Sequence, residues 1–395
     1  MALDPTHTAL GTWSGGHFMH YGESLDDARL AALVRPGDDV RTALTADAYG
    51  AGEADRVLGQ ALKGLDPDAY CLIGAVGHDF YEGEREGARG FPRFTDPRLR
   101  AEAEYGAYLR TATEASLERL GVERLDLLLL HNPDRRGYTS AAVWEGLEAV
   151  RDAGLTRRLG IAPGPANGFT LDLIECFERF GELIDWAMII LNPLEPWPGE
   201  LVLSAAQAHG VDLIARVVDY GGLFHDDLAP GHAFARGDHR SFRPAGWVER
   251  GLERLERMRP IAERHDLSML ALACQWDLAH PRVRCTVPTL IQEAGAEAKP
   301  VEVKRAELAA VPAQVVLSEE EVAEIRSIGD NTGSMALKGA APEFEGPPTS
   351  DRWPLTAELA ELGRRWGIDP ERDLARAAAV ADGQPRASSA SSRSR

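Results

Sequence analysis

No apolar run in this chain approaches the roughly 20 residues of a membrane-spanning helix, so no span is expected. The opening MALDPTHTALGTW has no basic region followed by an apolar segment, so it does not read as a signal peptide, and a cytoplasmic location is expected. Cysteine is scarce. Cys71, Cys176, Cys274 and Cys285 are far apart and form no CxxC, so they read as reduced thiols rather than a disulfide frame or a zinc site. Basic residues are outnumbered, 43 Lys and Arg against 62 Asp and Glu, for a net charge of −19. Nucleic acid and anionic membrane both want a basic face, so neither is expected as a partner. No GxGxxG follows the first strand. P-loop, HExxH and GxSxG are also missing, which argues against Rossmann, P-loop, metalloprotease and α/β-hydrolase chemistry.

What is present is alternation. Apolar stretches at Ala43–Asp47, Tyr70–Val76, Leu125–His131, Arg158–Ala162, Ala187–Leu191, Val211–Val218 and Arg284–Pro288 read as strands, after a first strand ending near Gly11. Helical patterns stand between them: Ala54–Lys63, Glu102–Leu120, Ser140–Ala153, Leu171–Phe180, Leu201–His209, Val248–His265 and Ser268–Ala279. About eight strand–helix units over some 300 residues predict a (β/α)8 TIM barrel, with an open doubly wound sheet as competitor. Residues 1–330 form the expected barrel and 331–380 a C-terminal helical extension packed on it, with helices over Pro354–Trp366 and Pro370–Val380. The Ser/Arg-rich stretch 381–395 is expected to be disordered. The long polar stretch 224–244, with His225, Asp226, Asp227, His232 and Arg236, reads as a lid.

The stretch Leu125–His131 stops at Asn132-Pro133-Asp134, which is turn chemistry, so His131 falls at the carboxyl end of a buried strand. Barrel enzymes keep their reacting groups there. His17, His20, His78 and His131 could also converge with Asp47 or Asp79 on a divalent metal, but histidines scattered on loops more often contact substrate or water, and no metal is expected.

Asp47-Ala48-Tyr49-Gly50-Ala51-Gly52-Glu53, followed by Val57-Leu58-Gly59-Gln60-Ala61-Leu62, resembles the aldo-keto reductase signature around the catalytic tyrosine. Asp126–His131 resembles the strand bearing that family's histidine, and Ala271–Trp276 its helix before the last strand. The resemblance runs from about Leu10 to Ile328. It implies a (β/α)8 barrel, a nicotinamide cofactor (NADPH or NADH), reduction of a small polar carbonyl, and Asp47, Tyr49 and His131 as catalytic groups. Cofactor contacts are then expected at Asn192, Gly222, Leu223 and Lys299.

The family's lysine is missing, and Ala75 aligns with it. A cation about 4 Å from a phenol at an effective dielectric near 20 is worth roughly 4 kcal/mol, or about 3 pKa units. His78 and Arg216 are the candidates to replace it. The cofactor side departs too: Ala162-Pro163-Gly164 stands where Ser-Asn is usual, Met188 for glutamine, Arg216 for the stacking aromatic, and Glu293 near the expected 2′-phosphate. Two alternatives follow: a redox-neutral lyase, isomerase or dehydratase using Tyr49 and His131 as acid and base, or a non-catalytic binding protein.

Overall fold

The computed structural model describes residues 3–87, 90–164 and 168–377. Eight parallel strands pair in sequence order. They are β1 (Ala9–Gly11), β2 (Thr42–Leu44), β3 (Cys71–Val76), β4 (Leu125–His131), β5 (Thr156–Ala162), β6 (Trp186–Ile190), β7 (Asp212–Arg216) and β8 (Val283–Val287). A parallel bridge between Thr8 and Thr286 joins the last strand to the first, so the sheet closes. That settles the choice between barrel and doubly wound sheet, because a doubly wound sheet keeps two open edges.

Two apolar clusters explain the closure. Cys71, Ile73, Ala75, Leu127, Leu129, Met188, Ile214, Cys285 and Val287 fill the barrel interior. The alternate residues Leu72, Val76, Leu128, Leu130, Ile189 and Leu213 join the helices in a larger outer cluster. A strand covered on both faces must be apolar at every position, which is why Leu125–His131 is buried throughout. The same alternation sends Ala75, His131 and Arg216 inward and turns Thr45 and Asp47 toward the helices.

Most expected elements recur within a few residues. The extension differs in kind. Besides a helix at Ala357–Arg365, it contains two short parallel strands, β9 (Gly339–Ala341) and β10 (Arg352–Pro354). The helix expected over Pro370–Val380 is a single turn, Pro370–Leu374. Residues 378–395, including the stretch expected to be disordered, lie outside the described residues. The extension packs on the helix Thr170–Phe180: Trp353 Nε1 donates to Asp172 Oδ1 at 2.9 Å, and Arg365 pairs with Glu178 at 2.6 Å.

Candidate active site

Tyr49 reaches the barrel mouth through a tight turn. The β2–β3 ladder runs on past Leu44, with Thr45 N donating to Ile73 O at 3.0 Å and Asp47 N to Ala75 O at 3.1 Å. Tyr49 N then closes on Ala46 O at 3.0 Å. The next three residues are left-handed: Gly50 (φ 60°), Ala51 (φ 52°) and Gly52 (φ 95°). A Cβ on Gly52 would lie 2.7 Å from the Arg119 side chain, so both the backbone and the space demand glycine. Ala51 has no such licence and carries strain of order 1–2 kcal/mol.

The Tyr49 ring stands edge-on between two others. Its centroid is 5.6 Å from His131 at 89° and 6.3 Å from Trp13 at 74°. Trp13 is anchored by its Nε1 donating to Thr289 Oγ1 at 3.2 Å. Burial pushes the Tyr49 phenol up to about 12, while Arg216 alone among the described cations opposes that rise and Tyr21 adds to it. His131 is pushed down to about 3 by burial, with Arg93 and Arg216 adding to the effect, so its imidazole is neutral. Its Nδ1 has no hydrogen-bond partner among the described residues.

Asp47 is fully buried, and neither carboxylate oxygen has a partner among the described residues. Burial raises its pKa well above the usual carboxylate range, and Asp55 raises it further. Arg119, which could have countered this, is held by Asp55 through Nε and Nη2 at 3.0 and 2.9 Å. Burial thus favours the protonated form of Asp47. Ala75 lies in the interior cluster against which Tyr49 packs, and its carbonyl accepts the Asp47 N–H. The Ala75 methyl thus lies on the Tyr49 side of the strand, while Asp47 turns away from it toward the helices.

The two candidates to replace the missing lysine differ. His78 is 8% exposed, and burial followed by the charges of Arg93 and His131 drives its pKa well below the normal range. It carries no charge. Arg216, at the end of β7, donates through Nη2 to Pro163 O at 3.2 Å and to Gly164 O. Burial lowers its pKa, and Tyr49 is the first of the groups that raise it again.

The expected cofactor contacts divide as well. Asn192 spends its side chain on backbone, donating to Val217 O and accepting from Leu194 N, both at 3.0 Å. Gly222 N donates to Asp219 Oδ2 at 2.9 Å, and Leu223 is buried beside it. Lys299 pairs with Glu307 at 2.7 Å. Arg240 is gripped by Asp238 and Glu293 with all three buried, and Lys304 is paired with Asp227 at 2.7 Å. These contacts also pin the first residues of the stretch 224–244 expected as a lid, whereas most of 229–237 is exposed. His225 is fully buried and bonded to Thr289 O at 2.8 Å, Asp226 holds Arg259, and Asp227 holds Lys304. His17 lies 3.7 Å from Asp27 and His20 stacks near His239, so neither approaches His131. Among the described residues no three His, Cys, Asp or Glu side chains are grouped to hold a metal ion.

The model of the aldo/keto reductase family matches residues 9–330. The chain belongs to that family. A D-threo-aldose 1-dehydrogenase from Pseudomonas sp. is 26% identical over 277 residues, 66% of this chain and 79% of the relative. The aldo-keto reductase YhdN of Bacillus subtilis is 24% identical over 356 residues, covering 88% and 96%. Among solved structures, a glycerol dehydrogenase from Gluconobacter oxydans superposes with a TM-score of 0.62 at 24% identity, over 83% of this chain and 93% of that one. An aldo-keto reductase from Klebsiella pneumoniae, solved with NADP and acetate, gives 0.54 at 21%, over 82% and 95%. Within this aldo/keto reductase barrel, Trp13 and Arg93 join the site although the sequence reading did not name them for it. Trp13 had one signal, its place just after a strand in a Gly-rich loop. Arg93 had none, since it lies in a charged loop far from any motif.

Proposed function

We propose that this chain is a nicotinamide-dependent oxidoreductase that reduces a small polar carbonyl, a sugar or a natural-product intermediate. The observation that carries the reading is the edge-to-face pair of Tyr49 and neutral His131 at the mouth, with Arg216 as the cation acting on the phenol. A phenol pushed up to about 12 stays protonated at neutral pH, which is the form that gives a proton to a carbonyl oxygen being reduced. Uncharged His131 orients that oxygen by a hydrogen bond without competing for the proton. Arg216 supports the phenolate left behind, so its loss harms alcohol oxidation more than reduction.

The β7–β8 edge fits a dinucleotide. Gly221 and Gly222 both have positive φ, and a Cβ on Gly222 would lie 3.1 Å from Glu293 and 3.3 Å from Arg240. Such bare backbone admits the close approach of a diphosphate, although Glu293 and Asp238 already take up the charge of Arg240. Bound there, the cofactor supplies hydride; the backbone at Gly222 and Leu223 would hold it. A second reading, redox-neutral acid–base chemistry by Tyr49 and His131, is favoured by Arg216, whose guanidinium fills the end of β5 where the resemblance puts contacts to the carboxamide.

Titration with NADPH and then NADH, followed by cofactor fluorescence, tests the choice. Micromolar binding of either is expected. No binding up to millimolar concentrations would leave the acid–base reading.

A further inference from the structure

The family match ends at residue 330, yet the chain beyond it returns to the mouth. Arg93 is 6% exposed, and its guanidinium makes three contacts. Nη2 donates to Asp351 Oδ1 at 2.7 Å, Nε donates to the carbonyl of Asn132, and Nη1 lies 3.1 Å from His78 Nδ1. Asn132 directly follows His131 and is left-handed, with φ 47°. The His78 ring is fixed in turn. The Phe91 carbonyl, 2.9 Å from Nδ1, can only accept, so Nδ1 carries the proton and Nε2 accepts from Asn132 Nδ2 at 3.0 Å. That ring is 5.2 Å from His131. Arg93 therefore grips the backbone of the residue after His131, and through the Asn132 side chain, which donates to Nε2, that residue also orients the His78 ring; Nη1 only packs against the protonated Nδ1.

Asp351 is itself held firmly. Its carbonyl accepts from Gly339 N at 2.9 Å, joining β9 to the turn before β10. Two residues on, Trp353 is buried against Tyr138 and Phe169 and tied to Asp172. Asp172 also takes Arg135 at 2.9 Å from the short helix after β4.

We propose that Asp351 and Arg93 are positioning residues, a strut by which the C-terminal extension sets the place of His131 in the mouth. The inference rests on the reading of His131 as a group that touches substrate. Asp351 is the only carboxylate in ion-pair distance of Arg93 among the described residues. Without it a buried guanidinium loses its counter-charge, and its grip on a strained Asn132 backbone weakens. A small displacement of a group at a reacting centre costs rate far more than it costs fold stability.

The test uses the full chain with Asp351→Asn, Asp351→Ala and Asp351→Glu. Asparagine keeps an acceptor for Arg93, which guards against simple unfolding in the alanine variant. Carbonyl reduction is expected to fall about 10- to 100-fold in kcat for alanine, with cofactor affinity unchanged, and to recover substantially with glutamate. In 15N-histidine spectra, the His78 and His131 resonances are expected to shift in the alanine variant. Unmoved resonances would overturn the strut, as would wild-type kcat in a folded alanine variant. If the wild-type chain reduces no carbonyl but the resonances still shift, the strut stands and the reading of the reaction fails.

Discussion

The two sides of the barrel mouth are built on opposite principles. Along β7 and β8 most charges are paired: Arg240 lies between Asp238 and Glu293, Lys304 on Asp227, and Asp219 accepts from Thr289 N and Gly222 N, while Nδ1 of His225 and Oδ1 of Asp227 have no partner among the described residues. Around β2 and β4 polar groups stand without partners: both oxygens of Asp47, Nδ1 of His131 and the hydroxyl of Tyr138. A paired network is costly to disturb, whereas unpaired buried groups cost stability and, where they face the mouth as His131 does, are free to meet a substrate. Substitutions on the first side should therefore read out in stability, and on the second in chemistry.

The largest effect is expected at Tyr49. Tyr49→Phe should lower reduction by about 10²- to 10⁴-fold, the range for a lost general acid, with little change in thermal stability. Full activity in that variant, measured by steady-state turnover, would move the proton donor elsewhere. On the paired side, Glu293→Leu should destabilise by about 1–3 kcal/mol in denaturant unfolding, because it strips Arg240 of buried charge-assisted hydrogen bonds while Asp238 still balances its charge. A stability change near zero would erase the contrast between the two sides.

Arg216→Leu sharpens the comparison, since this cation lies on the chemical side although it comes from β7. Its removal should take the phenol further up from about 12. Alcohol oxidation, which needs the phenolate, should drop by roughly 10²-fold or more, and reduction by less. The ratio of the two rates is the measurement. Equal losses would make Arg216 a binding group rather than a support for the phenol.

The sequence carried the barrel because its strands are apolar at every position and its helices keep a helical period; those patterns are local. It carried Tyr49 and His131 for the same reason, since a turn and a strand end are written in adjacent residues. Arg93, Asp351 and the β9–β10 pair were not legible. They meet across 258 residues of chain, and nothing in the loop around Arg93 signals a buried guanidinium. The anchoring of the first lid residues was hidden for a related cause. A polar segment looks solvent-exposed in sequence, but the partners that bury His225 and Asp227 come from the chain after β8.

The smallest effect concerns the pH dependence of stability, where Asp47 and His131 pull in opposite directions. Asp47 keeps its proton in the fold well above the unfolded carboxylate value of about 3.9. Above that pH the unfolded chain binds fewer protons than the folded one, so this residue makes stability fall as pH rises. His131 titrates near 3 in the fold against about 6.5 unfolded. Between those values the unfolded chain binds more protons, so its contribution is lost as pH falls from about 6.5 toward 3. Asp47→Asn has no proton to keep in either state. Denaturant unfolding across pH 4 to 8 should show a flatter neutral side in this variant, while the acid-side loss due to His131 persists. If the neutral-side slope is unchanged, Asp47 is ionised in the fold and some partner satisfies it.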